Sequence, residues 1–131
     1  IVSNMGAANP VAAARRTLEL ARELGIPDMR VAVVMGDDLL AVHSADSIRS
    51  LPVMEGIGLQ DRDIIAANAY LGARCVADAL ALDVDVVLVG RTTDAALVLG
   101  PLIHEFGWAE DDWDRLAQGT MAGIFWNVGG R

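Results

Sequence analysis

Three short apolar runs each end in a polar break, and the breaks hold residue types that bind anions or move protons. Val86-Val87-Leu88-Val89 is followed by Gly90-Arg91-Thr92-Thr93-Asp94, and Val31-Ala32-Val33-Val34-Met35 by Gly36-Asp37-Asp38. Ile1-Val2 is followed by Ser3-Asn4-Met5-Gly6-Ala7-Ala8-Asn9-Pro10. A guanidinium at such a position can clamp a carboxylate or phosphate through two parallel hydrogen bonds, which makes Arg91 the sharpest single candidate. Thr92, Thr93 and Asp94 can orient it or cap a following helix. Asp37 and Asp38 are adjacent carboxylates suited to proton transfer, to a ligand hydroxyl or to a hard cation, and which of the two faces a site is open at this level. Asn4 and Asn9 can add side-chain amides to the free backbone N–H groups of a helix start, an arrangement that holds anions.

Each set also has a plain structural alternative. The asparagines can cap a helix and its turn. One of the two aspartates can cap the next helix from a solvated turn. Arg91 can pair with Asp94 or Asp38 and merely fix its loop. Other chemistries find less support. The loop from Ser3 to Pro10 is glycine-poor beside a dinucleotide fingerprint and lacks the lysine of a phosphate-binding loop. Ser3, Ser44, Ser47 and Ser50 lie in no Gly-x-Ser-x-Gly context. His43 and His104 have no second histidine or cysteine at ligand spacing, which argues against zinc, and His104 is expected to pack near its helix end. Trp108, Trp113 and Trp126 fall among Asp111, Asp112 and Asp114, a pattern of helix packing or of an interface.

The elements that position these residues follow from periodicity. Asn9-Pro10 is a cap followed by proline at the first helical position. Val11, Ala14, Leu18, Ala21 and Leu24 then recur at helical spacing, with Arg15 and Glu19 four apart on the other side and Gly25 and Pro27 as the stop. Val31–Met35 reads as a buried strand. Leu39–Arg62, punctuated by Pro52, Gly56 and Gly58, reads as mostly loop with short helices. Ile64, Ala67, Leu71, Val76, Ala77 and Leu80 predict a helix over Asp63–Leu82, with Gly72 allowing close packing. Val84–Val89 is a third strand, and a helix runs from about Asp94 to Phe106 before Gly107. Asp111–Asn127 reads as a further helix weakened by Gly119 and Gly123, in which Ile124-Phe125-Trp126 suits a strand equally well. This alternation predicts an α/β, doubly wound, mainly parallel sheet with helices on both faces, and all three strand ends on one rim.

The length of 131 residues suits one domain spanning 1–131 that buries roughly two-thirds of its unfolded surface. The 10 Lys and Arg against 18 Asp and Glu give a formal net charge of -8, which disfavours nucleic acid and an anionic membrane as partners. Neither an apolar run of about 18 residues nor a leader pattern is present, and the single cysteine, Cys75, reads as a small buried hydrophobe in a reducing compartment. A cytoplasmic protein is expected. The opening at Ile1, without an initiator methionine, suggests a fragment of a larger domain.

The motifs Ser3-Asn4-Met5-Gly6-Ala7-Ala8-Asn9-Pro10, Gly36-Asp37-Asp38-Leu39, Asn68-Ala69-Tyr70-Leu71-Gly72-Ala73, Gly90-Arg91-Thr92-Thr93-Asp94-Ala95 and the block from Leu99-Gly100-Pro101 to Gly119-Thr120 occur in this order. Together they resemble the acyclic terpene utilisation protein family, AtuA-like. The resemblance implies a cytoplasmic bacterial protein of isoprenoid catabolism, encoded beside genes that break down citronellol- and geraniol-type acids as coenzyme A thioesters. It implies a chain several times longer, and it assigns no catalytic residues. After Ala122-Gly123 the sequence Ile124-Phe125-Trp126-Asn127-Val128 departs from the family's His-containing stretch and Cys-Gly pair.

The combined expectation is an enzyme domain that binds an acyl-CoA or small carboxylic acid at the strand carboxyl ends. Asp37, Asp38, Arg91 and Asp94 are the candidate catalytic residues. Asn4, Gly6, Asn9, Gly36, Asn68, Gly90, Thr92 and Thr93 are the candidate substrate-binding set. A coenzyme A thioester or Mg²⁺ is the co-ligand such a rim can take. The alternative is a binding or scaffold module, forming a homo-oligomer or larger complex through the Trp-rich C-terminal region, or a fragment without activity of its own.

Overall fold

The computed structural model describes residues 1–54 and 62–129. Short β-branched runs form three strands among them: β1 (Val2–Ser3), β2 (Val31–Val34) and β3 (Val86–Val89). The strands are parallel in the order β1-β3-β2, with Val2 opposite Val87 and Val34 opposite Val89. Central β3 buries all four of its residues. Edge strand β2 instead alternates, so the expected continuous burial is corrected: Ala32 and Val34 are buried while Val31 and Val33 are only partly so, and Met35 is exposed.

The two faces are covered by different helices. Helix α1 (Pro10–Glu23) sets Ala14 against Val86 and Leu88. Helix α3 (Ala73–Leu80) sets Val76 and Ala79 against Ala32, Val34, Val87 and Val89 on the other side. The fold is therefore α/β with a parallel sheet wound on both faces. Val76, Val87 and Val89 are fully buried, and each such side chain contributes about 1.5–3 kcal/mol of transfer free energy.

Local signals define α1. Asn9 caps it by accepting the Ala12 N–H at 2.9 Å, Pro10 occupies the first turn, and Gly25 follows at φ 76°. Arg15 and Glu19 are both exposed on its outer side, and Glu19 pairs with Arg16 at 3.0 Å, which also reaches Glu23 at 3.4 Å. Between β2 and α3 lie a 3-10 turn (Leu39–Ala41) and the short α2 (Ala45–Arg49). Gly56 and Gly58 lie outside the described residues.

The helix expected over Asp63–Leu82 is confined to α3. Residues 63–72 are not helical, because their backbone groups are engaged elsewhere: Ala67 O accepts from Leu39 N, Ala69 N donates to Asp37 O, Leu71 N donates to Arg91 O and Leu71 O accepts from Thr93 N. Gly72 consequently precedes α3 rather than packing within it, and a Cβ there would meet nothing within 4 Å.

Close helix packing falls instead to other glycines. On α4 (Ala96–Phe106), Gly100 faces Val76 so closely that a Cβ would stand 2.6 Å from the valine Cβ. The tail is helical as α5 (Trp113–Gly129), and Gly119 and Gly123 are its contact points with Leu99 and Ala95. His104, expected to pack, is exposed in the last turn of α4. Trp108 stacks on Phe106 at 5.9 Å between ring centroids, whereas Trp113 and Trp126 are exposed. No helix among the described residues is long and apolar enough to cross a membrane.

Candidate functional site

The parallel strands bring three loops to one end of the sheet, and the segment 67–71 ties two of them together. Asp37 is at the junction. It is 5 % exposed, and its Oδ2 accepts the Asn68 Nδ2–H and the Arg91 backbone N–H, both at 2.9 Å. Two donors on one carboxylate oxygen join the ends of β2 and β3 to residue 68. The carboxyl group reaches that position because residue 90 is glycine; a Cβ there would overlap it.

The neighbouring carboxylate has a different role. Asp38 is exposed and caps the 3-10 turn, accepting the Leu40 N–H at 3.0 Å. The two adjacent aspartates thus separate into a buried junction and a surface cap. Gly36, at φ 114°, turns the chain just before them, and the extended backbone at Asp38 points successive side chains to opposite sides.

The β3 end is similarly divided. Thr92 is 4 % exposed and donates its hydroxyl to Leu71 O at 2.7 Å, so it fastens the segment rather than facing solvent. Thr93 and Asp94 are exposed. Arg91 donates from Nη2 to the Tyr70 hydroxyl at 2.8 Å, and its guanidinium carbon lies 5.2 Å from the Tyr70 ring centroid. Arg91 forms no ion pair with Asp94 or Asp38; among the described residues its charge is unpaired. Such cation–π stacking orients a guanidinium without neutralising it.

A cleft of 610 Å³ opens between the start of α1 and the segments that follow β2, within the range of small-molecule sites. Ala8, Met35, Leu40, Ala41, Val42 and Ile65 supply apolar wall, while Asn9, Asp37, Asp38 and Asn68 supply polar groups. Of the expected site residues, Asn9, Gly36, Asp37, Asp38 and Asn68 therefore meet at the cleft. Arg91, Thr92, Thr93 and Asp94 lie beyond Asp37 along the rim.

Asn4 and Gly6 support the first loop. Asn4 O accepts the Ala7 N–H at 3.1 Å, and buried Gly6 packs against Pro10 and the Val89 carbonyl. Tyr70 and the apolar walls were not singled out by residue chemistry. Tyr70 lay in a segment whose periodicity read as helix, and wall residues carry no chemical signature.

Among the described residues no group of three or more His, Cys, Asp or Glu side chains gathers as a metal-binding set. Cys75 is partly buried behind the sheet, with its Sγ 2.9 Å from Gly72 O, and burial pushes its thiol pKa up. That is the behaviour of a packed thiol rather than an activated nucleophile.

Comparison with curated proteins and with solved structures returned no match. The model of the acyclic terpene utilisation family protein AtuA matches residues 1–129, nearly the whole chain. The chain therefore belongs to the acyclic terpene utilisation family, AtuA, and its role is in acyclic terpene utilisation.

Proposed function

We propose that the cleft binds the branched apolar chain of an acyclic terpene acid, free or as its coenzyme A thioester, in the bacterial cytoplasm. The observation that carries this reading is the cleft itself, whose apolar wall runs into a polar end at the strand carboxyl termini. Open α/β sheets bind ligands at this end. Arg91, oriented by Tyr70 and unpaired among the described residues, supplies the cationic contact for the ligand's carboxylate or phosphate groups. Asp37, Asp38 and Asp94 are the carboxylates available for proton transfer along the rim. The enzyme reading rests on this combination of an apolar cleft with anion-binding and proton-transferring groups.

Two substitutions test it by calorimetry with citronellic acid and its coenzyme A thioester. Ala41→Trp fills the cleft from an exposed wall position and should abolish binding of both. Arg91→Ala preserves the backbone N–H that Asp37 accepts, so the junction stays intact while the anionic part of the ligand loses its partner. A weakening of about tenfold or more is expected. Unchanged affinity in both variants would sink the reading.

A second reading, a scaffold role through self-association, is favoured by α5. Trp113, Met121, Ile124, Phe125 and Trp126 are exposed, with Trp113 at 73 % and Trp126 at 80 %. Exposed apolar side chains carried by every copy can pair across a two-fold axis. Sedimentation should then show a concentration-dependent dimer that Trp113→Ser and Trp126→Ser disperse, and a monomer at high concentration would exclude it.

A further inference from the structure

We infer that the cleft's ligand carries a hydroxyl group, which donates to the free carboxylate oxygen of Asp37; the inference rests on the cleft reading above. Asp37 is almost completely buried, yet its two oxygens are used unequally. Oδ2 takes both donors, Asn68 Nδ2 and Arg91 N, whereas Oδ1 accepts from none among the described residues. Oδ1 is the carboxyl atom that lies nearest to Gly90. A carboxylate oxygen that accepts from no described residue, on a buried aspartate that lines the cleft, is an acceptor waiting for a donor.

The surrounding amides narrow the chemistry. Asn9 Oδ1 is occupied by the Ala12 N–H, so its Nδ2 remains to donate. Asn68 Nδ2 is occupied by Asp37, so its Oδ1 remains to accept. The polar end of the cleft therefore offers acceptors at Asp37 and Asn68 and a donor at Asn9. A hydroxyl matches this set because it donates one hydrogen bond and accepts others. A bare carboxylate placed there would face Asp37 with like charge, which assigns the acid or thioester end of the ligand to the Arg91 side of the rim. A hydrocarbon chain without a hydroxyl still fills the apolar wall but leaves the Asp37 acceptor without its donor, so it binds more weakly than its hydroxylated counterpart.

The test compares ligands on the unaltered full chain by calorimetry. The probes are citronellic acid hydroxylated either at the carbon β to the carboxyl group or at the branched far end, each set against its own methyl ether. The ether retains the oxygen and loses only the donor. At least one hydroxy acid should bind about tenfold or more tightly than its ether. Asp37→Asn, which can keep an oxygen toward Arg91 and Asn68 while turning an N–H₂ into the cleft, should erase that preference. Equal affinity of each hydroxy acid and its ether for the unaltered chain would overturn the inference, while binding that is lost in Ala41→Trp would leave the cleft reading standing. Absence of binding by any of these acids would overturn both.

Discussion

Asp37 and Gly90 form a paired contact at the ends of adjacent strands: the carboxyl group of Asp37 occupies the space that a Cβ on residue 90 would fill. Residue 90 also donates its N–H to Val34 O at 3.2 Å, so it is hydrogen-bonded into β2 while the Asp37 carboxyl group covers it. Through this contact one aspartate fixes the ends of β2 and β3 and the residue 68 segment relative to the cleft.

Gly90→Ala should therefore destabilise the fold by about 1–3 kcal/mol, the usual range for overpacking. It should also weaken ligand binding, since the carboxylate must move. Gly72→Ala is the control, because its Cβ would meet nothing within 4 Å and the loss as a helix cap is about 1 kcal/mol or less. Urea midpoints measured side by side check the contrast. Equal midpoints for the two variants would show that Asp37 does not press on residue 90.

Asn68→Asp should convert the Asp37 contact into a repulsion. The amide that donates at 2.9 Å would become a second carboxylate at that distance, and sharing of the site by two carboxylates raises the pKa of one of them in the folded state. A raised carboxylate pKa means that the folded chain binds the proton more tightly than the unfolded chain. The variant's deficit relative to the parent should therefore be full at neutral pH and shrink as the pH falls toward about 4. Urea denaturation of both chains across that interval is the measurement, and a deficit independent of pH would count against a direct contact.

The elements legible in the sequence are those whose cause is local. Pro10 after Asn9 marked α1, and the β-branched runs marked β2 and β3, because capping and burial are decided within a few residues. The segment 63–72 failed for the opposite reason. Ile64, Ala67 and Leu71 carry helical spacing, but the backbone N–H and C=O groups of this segment bond to Asp37, Leu39, Arg91 and Thr93, partners that local periodicity cannot reveal. The same distance in sequence hid the site's division of labour. Asp37 and Asp38 are chemically identical neighbours, and only the long-range donors Asn68 and Arg91 separate the buried junction from the cap. Arg91 was legible as a cation at a strand end, whereas its partner Tyr70 was concealed by the helical reading of its segment.

The three tryptophans should respond differently to a soluble quencher. Trp108 is partly buried, stacked on Phe106 and pressed against Gly119, while Trp113 and Trp126 project into solvent. In variants that keep one tryptophan each, acrylamide should quench Trp113 and Trp126 efficiently and Trp108 several times less. Gly119→Ala should then expose Trp108, since the new methyl group would displace its ring or push α5 from α4. Equal quenching of all three in the parent helix arrangement would contradict the packing of α5 on α4.

Cys75 offers a pH-dependent check of the α3 face. Burial is the largest influence on its thiol and raises its pKa above the ordinary 9.0, a shift opposed by backbone N–H groups at Val76 and Cys75 and reinforced by Asp78. The folded chain should thus hold the proton to higher pH than the unfolded chain. Stability from this group is complete below the unfolded pKa and is lost as the pH rises through the folded one. Alkylation by iodoacetamide reads the same equilibrium directly, because the thiolate is the reacting form and Cys75 is the single cysteine. The native rate should climb at higher pH than in denaturant and stay below the rate of an exposed thiol at neutral pH. A native inflection at or below the denatured one would mean that the thiol is solvated or activated, and that α3 does not pack on the sheet as described.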